Sequence, residues 1–229
     1  MSASPARDAK ALRADLMRRF RTVSRTLRVA ERDVTLLSPV NADDLISEDD
    51  YVQDERLPYW ADLWPSARIL ADELAIMRLK NQRVLELGCG LGVVAIGAVL
   101  GGAHVTATDY YEDALSFAEL NVAEATGRSI VTRLVNWVAL PDDLGRFDVV
   151  LASDVLYEHR YATLVAEAIA KTLVRGGEAI VADPGRIALP EFLEECAERG
   201  LTSEADPRPF VEGEIRQTIT LYKLHWKAE

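Results

Sequence analysis

Val84-Leu85-Glu86-Leu87-Gly88-Cys89-Gly90-Leu91-Gly92 is an apolar run that stops at three alternating glycines. The residues from Val93 to Leu100 are apolar again, and the next apolar stretch ends at Asp109. A buried strand that breaks at glycines and reopens as a helix lets a ligand lie against bare backbone at the helix's positive end. An acidic residue at the end of the following strand is suited to hold a ribose. These residues predict a strand–helix–strand unit that seats a nucleotide-like cofactor at its carboxyl edge.

From Pro65 onward, strand and helix signals alternate. Ala67, Leu70, Leu74 and Met77 make one helical face behind a proline suited to a first turn. Strands are expected at Arg83 to Leu87, His104 to Asp109, Ile130 to Val135, Phe147 to Ala152 and Glu178 to Asp183. Helices are expected between them, at Gly92 to Leu100, around Tyr111 to Val122, and from Leu164 to a stop at Gly176-Gly177. A helix from Leu189 to Arg199 and two last strands, near Leu201 to Ala205 and Ile215 to His225, complete the pattern. Near-continuous apolar strands alternating with helices imply a parallel sheet covered on both faces.

The first 57 residues have a different character. Pro5 to Phe20 reads as a helix with Leu12, Leu16 and Phe20 on one side and Arg13, Arg18, Arg19 and Arg21 beside them. Val23 to Pro39 reads as a hairpin that turns at Ala30 to Asp33. Asp43, Asp44, Glu48, Asp49, Asp50, Asp54 and Glu55 then form an acidic loop. A basic arm near an acidic loop is expected to be mutual solvation rather than a docking device. The expected division is residues 1–57 as a helix and hairpin extension and residues 58–229 as the main domain.

The 229 residues are 49% hydrophobic and 28% charged, enough apolar material for a real core. A formal net charge of −11 works against nucleic acid as a partner, because phosphate contacts need clustered Lys and Arg. Only Cys89 and Cys196 carry thiols, which suggests a reducing compartment rather than a disulfide scaffold. The N-terminus lacks the apolar segment of a signal peptide, and the longest apolar stretch is interrupted at Gly97, Gly101 and Gly102. A cytoplasmic protein with no membrane partner is expected; the oligomeric state is not legible.

The glycine spacing selects among cofactors. Dinucleotide sites use G-x-G-x-x-G, but here the glycines are 88, 90 and 92, and position 93 is Val. Glu86 stands two residues ahead of the first glycine, where it would repel a pyrophosphate. It suits a cofactor with an ammonium group. S-adenosylmethionine offers that ammonium, a sulfonium, and ribose hydroxyls for Asp109.

From these residues the chain resembles the seven-strand class I methyltransferases. It is most similar to the protein-lysine methyltransferases that include the electron-transfer-flavoprotein β-subunit enzyme and its bacterial relatives. Four stretches carry the resemblance: Pro58-Tyr59-Trp60-Ala61-Asp62-Leu63-Trp64-Pro65, the glycine turn, Ser153-Asp154-Val155-Leu156-Tyr157, and Asp183-Pro184-Gly185-Arg186. The spacing D-x-x-Y after the fourth strand is that family's signature. The resemblance implies an α/β, Rossmann-like sheet of order 3-2-1-4-5-7-6 with strand seven antiparallel. It also implies S-adenosylmethionine as donor, S-adenosylhomocysteine as product, a protein substrate and no metal. It places Trp64 beside the cofactor, Trp137 against the adenine and Ala152 at the end of strand four, with the Gly88, Cys89, Gly90 and Gly92 backbone under the donor. Without it, the Trp137 indole would serve equally to cap the core, and Trp60 and Trp64 to fasten the extension. The Cys89 thiol is given no role.

Methyl transfer from a sulfonium is an in-line displacement, so a protein must position a lone pair and exclude water. A lysine is neutral only about once in 2,500 molecules at pH 7, equivalent to roughly 4.6 kcal/mol. Asp154 and Tyr157 are the candidate catalytic residues. A carboxylate alone raises an amine's pKa, the wrong direction for attack. Asp154 is therefore expected to align the substrate while Tyr157 and Trp64 wall the channel. Asp183 and Arg186 are candidate substrate contacts, though Asp183 equally fits a turn cap. His159 is expected on a loop, and neither His104 nor His225 has a partner in the pattern. The rival readings are a small-molecule methyltransferase and a non-catalytic donor-binding protein of the same fold. A closed pocket roofed by residues 1–57 would favour the small molecule.

Overall fold

The computed structural model describes residues 7–42, 45 and 58–228. The chain enters through α1 (Ala9–Arg19) and a hairpin of β1 (Thr22–Val29) and β2 (Arg32–Pro39). Asp8 caps α1, its carboxylate accepting from the Ala11 N–H at 2.9 Å. The expected hairpin forms, with its turn narrowed to Ala30 and Glu31 between the paired Val29 and Arg32. The acidic residues expected at positions 43–55 lie outside the described residues.

A short 3-10 turn at Tyr59–Ala61 leads into α2 (Pro65–Ile76), β3 (Arg83–Leu87), α3 (Val93–Leu100) and β4 (His104–Asp109). There follow α4 (Glu112–Thr126), β5 (Val131–Leu134), β6 (Phe147–Ser153) and α5 (Arg160–Thr172). The chain ends with β7 (Leu173–Asp183), α6 (Leu189–Glu198), β8 (Leu201–Glu212) and β9 (Ile215–Trp226). Seven strands share one sheet in the order β5-β4-β3-β6-β7-β9-β8. β3 runs parallel to both β4 and β6, and β9 runs antiparallel to β7 and β8. This is the expected order, with the seventh strand of the sheet reversed.

Two local expectations are corrected. The helix expected to stop at Gly176-Gly177 ends at Thr172, and Leu173 already belongs to β7. Phe147 pairs with Leu173 but Val149 with Glu178, so the glycines mark a bulge that lets extra residues loop out of the ladder. The strand expected at Leu201 to Ala205 continues to Glu212. Pro207 and Pro209 are accommodated because β8 lies at the sheet edge, paired with β9 on one side alone.

Each face of the sheet carries its own apolar layer. On one face Leu16, Leu36, Leu70, Ile96 and Phe117 join the extension to α2, α3 and α4. On the other, Leu85, Val150, Val165 and Phe192 pack α5 and α6 against the strands. Full burial of such a side chain contributes about 1.5–3 kcal/mol, so the extension shares in the stability of the sheet. The basic α1 turns its arginines to α4: Arg13 meets Glu124 at 2.7 Å, Arg7 preceding the helix meets Glu119 at 2.6 Å, and Arg19 meets Asp113. The half-exposed Arg13 and Arg19 pairs add little to stability, whereas Glu119 is buried and relies on Arg7 as its partner. Among the described residues, no helix is long and apolar enough to cross a membrane.

Candidate active site

The carboxyl ends of β3, β4, β6 and β7 open on one edge of the sheet, where the order reverses between β4 and β6 around β3. The glycine turn crosses that edge. Gly88, Gly90 and Gly92 all have positive φ, at 72°, 49° and 80°. The N–H groups of Gly88 and Cys89 both donate to the Thr108 carbonyl at 2.9 Å, which ties the turn to β4. Asp109 braces it further: its carboxylate accepts from the Gly90 N–H at 2.9 Å and the Tyr111 N–H at 3.0 Å. A Cβ placed on Gly90 would stand 3.0 Å from the Trp60 carbonyl, so the turn has no room for a side chain there.

Below the turn, Glu86 is buried and its Oε2 has no hydrogen-bond partner among the described residues. Burial first, then the Asp109 carboxylate, push the Glu86 carboxyl well above its usual range, while a hydrogen bond from the Ala95 backbone pulls the other way. Burial also raises Asp109 against its backbone hydrogen bonds from Tyr111, Gly90 and Tyr110. Burial, and then the fields of Asp109 and Glu86, push the Cys89 thiol up. Two acidic groups share a dry corner of the pocket, a place that favours a cation.

A row of aromatic rings links the two ends of the pocket. Trp137 meets Tyr161 edge to face with centroids 5.5 Å apart, Tyr161 meets Tyr157 at 4.9 Å, and Tyr157 meets Tyr59 at 5.2 Å. Tyr59 in turn meets Trp64 at 6.1 Å, and the Trp64 indole N–H donates to the Tyr59 carbonyl at 2.9 Å. Burial and the neighbouring Tyr161 hold the Tyr157 phenol protonated well above its ordinary range.

Asp154 follows β6 with φ at 59°, a left-handed conformation that Asp tolerates better than most residues. Its N–H donates to the Ala182 carbonyl at 2.9 Å, fastening the loop to β7. One carboxylate oxygen accepts from the Ser66 hydroxyl at 3.0 Å and the other from the Arg186 Nε at 2.5 Å. Asp183 caps the turn that carries Arg186, accepting from the N–H groups of Gly185 and Arg186 at 2.7 Å each.

Trp64, Glu86, Gly88, Cys89, Gly90, Asp109, Trp137, Asp154 and Tyr157 therefore line one pocket. Ala152 and Gly92 do not line it: Ala152 is fully buried in β6 between Leu87 and Val181, and Gly92 packs under α4. Asp183 and Arg186 sit behind Asp154. His159 pairs with Glu191 at 2.9 Å on the surface at the start of α5 and does not itself line the pocket. His225 does have a partner, Glu178 at 2.9 Å across β9 and β7. The sequence reading missed Tyr59, Tyr161 and Ser66. Tyr161 stands four residues after Tyr157 and Ser66 one after the quoted tryptophan motif, but only the fold brings them to Asp154 and Trp137.

Comparison with known proteins agrees with this geometry. A family model described as lysine methyltransferase matches residues 53–186. The electron transfer flavoprotein beta subunit lysine methyltransferase of Xenopus laevis is 31% identical over 135 residues, covering 56% of this chain and 53% of that protein. The protein N-lysine methyltransferase METTL21A of Danio rerio is 32% identical over 186 residues, covering 76% of this chain and 75% of that protein. The chain spans about half the length of several other curated relatives it matches. Among solved structures, magnesium protoporphyrin IX methyltransferase of Synechocystis with bound S-adenosylmethionine superposes with a TM-score of 0.58 at 18% identity, covering 81% of this chain and 98% of that one. That likeness shows the class I methyltransferase fold. On the family match and the site it encloses, the chain belongs to the lysine methyltransferase family.

Proposed function

We propose that this protein is an S-adenosylmethionine-dependent N-methyltransferase that modifies lysine side chains of a protein substrate. The observation that carries this reading is the buried Glu86 carboxylate, with an oxygen lacking a partner among the described residues, set beneath a glycine turn and beside Asp109. An amino-acid ammonium supplies the missing charge and the missing donor. The residues present fit such a donor: Glu86 for its ammonium, Asp109 for its ribose, Trp137 for its adenine, and the bare turn from Gly88 through Cys89 to Gly90 beneath it, with Gly92 closing the turn against α4. When bound, S-adenosylmethionine supplies a methyl group activated on sulfur.

The chain's own residues would then act on the acceptor. Asp154 accepts a hydrogen bond from the incoming amine, and Tyr157, Tyr59 and Trp64 wall its approach and exclude water. Trp64 would stand beside the donor, Ala152 lies buried behind the pocket in β6, and Asp183 with Arg186 hold Asp154 at the acceptor end. Residues 58–229 form the catalytic domain and residues 1–57 an extension to it. Among the described residues of the extension, none of 7–42 lines the pocket.

Incubation of the protein with radiolabelled S-adenosylmethionine and a cell extract, followed by mass spectrometry of labelled bands, tests the reading. Label on a lysine of a discrete protein is expected, and a Gly90→Arg variant should lose it. Label confined to the low-molecular-weight fraction would overturn the protein-lysine assignment.

A further inference from the structure

Asp154 is a carboxylate in a costly place. Its side chain is 3% exposed and its backbone is left-handed, and both of its oxygens are already engaged, by Ser66 and Arg186. The Arg186 guanidinium is itself held in place. Asp183 caps its turn, and the guanidinium carbon lies 5.2 Å from the centre of the Trp64 ring. A guanidinium this firmly seated is part of the site rather than a passing surface contact.

The pairing answers a difficulty in the chemistry. A lone carboxylate at the acceptor position would stabilise a lysine as its ammonium and keep the lone pair occupied. A carboxylate joined to a guanidinium is a dipole with no net charge, and its attraction for a second cation is correspondingly weak. Its oxygens still have lone pairs free for an N–H donor. Among the described residues, the groups around Asp154 other than Asp183 add no negative charge in contact with it. From α2 it meets the Ser66 hydroxyl, and the Tyr157 phenol, raised by burial, stays protonated. Glu158 and Arg160 pair with each other at 2.8 Å. Asp183 is the one further carboxylate among them whose field reaches Asp154; one of its oxygens caps the turn, and burial first, then Asp154 itself, push it toward its neutral form, while Asp109 and Asp62 lie elsewhere on the pocket wall.

We propose that Arg186 is a positioning residue: by pairing with Asp154 it makes that carboxylate an acceptor for a neutral amine, so that lysine sheds its proton to water before it docks. The nitrogen then arrives with its lone pair free. This rests on the lysine methyl-transfer reading above.

The test uses n-butylamine, which has the shape and chemistry of a lysine tip, titrated calorimetrically into the full chain saturated with S-adenosylhomocysteine. Between about pH 7 and about pH 9, the apparent affinity of the wild-type protein should rise roughly tenfold per pH unit, following the neutral fraction of the amine. In Arg186→Gln the profile should become flat, because the uncompensated Asp154 takes the ammonium. Arg186→Lys keeps the charge and should keep the slope. A purely structural role would weaken binding equally at every pH, and an identical slope in wild type and Arg186→Gln would overturn the proposal, as would a flat wild-type profile. Unchanged S-adenosylhomocysteine affinity in both variants confirms that the pocket is intact. The titration needs no methyl transfer, so it fails separately from the labelling experiment: slope lost with lysine label present removes the role of Arg186 alone, and slope present with label absent removes the acceptor assignment alone.

Discussion

Asn121 of α4 grips Leu37 of β2 from both sides: the Leu37 N–H donates to Asn121 Oδ1 at 2.8 Å, and Asn121 Nδ2 donates to the Leu37 carbonyl at 3.0 Å. The same Nδ2 also donates to the Leu91 carbonyl at 3.0 Å, inside the glycine turn. One fully buried amide thus joins the N-terminal hairpin, a sheet-covering helix and the turn proposed to seat the donor.

Replacing Asn121 with Ala leaves three buried backbone groups short of a partner. Each such group costs about 1–3 kcal/mol, and the costs do not add fully. Urea denaturation of Asn121→Ala should show a loss of about 3 kcal/mol, with donor affinity reduced as the turn loosens. A loss below about 1 kcal/mol would mean that the amide is dispensable.

Glu86 should trade stability for binding. Its carboxyl is raised in the folded chain, whereas in the unfolded chain it titrates near about 4.3. As pH rises above that value the unfolded state releases the proton first, so the folded state holds more protons and stability falls. The contribution is fully present below the unfolded value and is lost as pH rises through the folded one. Glu86→Gln removes this penalty, so the variant should be more stable than wild type at pH 7 and equal to it in acid, while binding S-adenosylmethionine at least tenfold more weakly. Melting temperatures across pH, with donor calorimetry, check both halves. A variant that is less stable at neutral pH contradicts the electrostatic account.

Gly92 and Gly127 separate crowding from backbone conformation. Both have positive φ, 80° and 68°. A Cβ on Gly92 would stand 2.8 Å from the Ala118 Cα, whereas one on Gly127 meets nothing within 4 Å. Gly127→Ala should therefore cost about 1–2 kcal/mol, the left-handed penalty alone. Gly92→Ala should exceed it by at least about 1 kcal/mol, because a main-chain atom of α4 has to move. Equal losses in chemical denaturation would show that α4 yields freely.

Neither thiol should react in the native protein. Burial pushes the Cys89 thiol up, and burial first, against Arg199, pushes Cys196 up to about 12. The thiolate is the nucleophile, so both stay inert near neutral pH. A disulfide reagent at about pH 8 should titrate no thiol in the folded chain and both in denaturant. Rapid labelling of Cys89 in the folded state would show that the glycine turn opens readily.

The glycine run and the spacing of apolar stretches placed β3, α3 and β4 almost to the residue, because a buried strand followed by a glycine turn has few other solutions. The bulge at Gly176-Gly177 and the length of β8 were not legible. Glycines read alike as a helix stop or a bulge, and prolines are tolerated mainly in edge strands, which depends on a strand's place in the sheet. Residues of the basic α1 face found partners on α4, some hundred positions away in the chain, which no local pattern could name.

What the sequence determined by itself was the sheet order expected from family motifs and the chemical types set along its carboxyl edge: Glu86, the three glycines, Asp109, Asp154 and Tyr157. Local periodicity and turn chemistry act within a few residues, and that is enough to fix such elements. Only the tertiary structure decided how those groups are charged and held. The pairing of Asp154 with Arg186 and Ser66, the partnerless oxygen of Glu86 and the aromatic row from Trp137 to Trp64 arise where distant segments meet in a dry interior. There hydrogen bonds and fields depend on distance and solvent exclusion rather than on order in the chain.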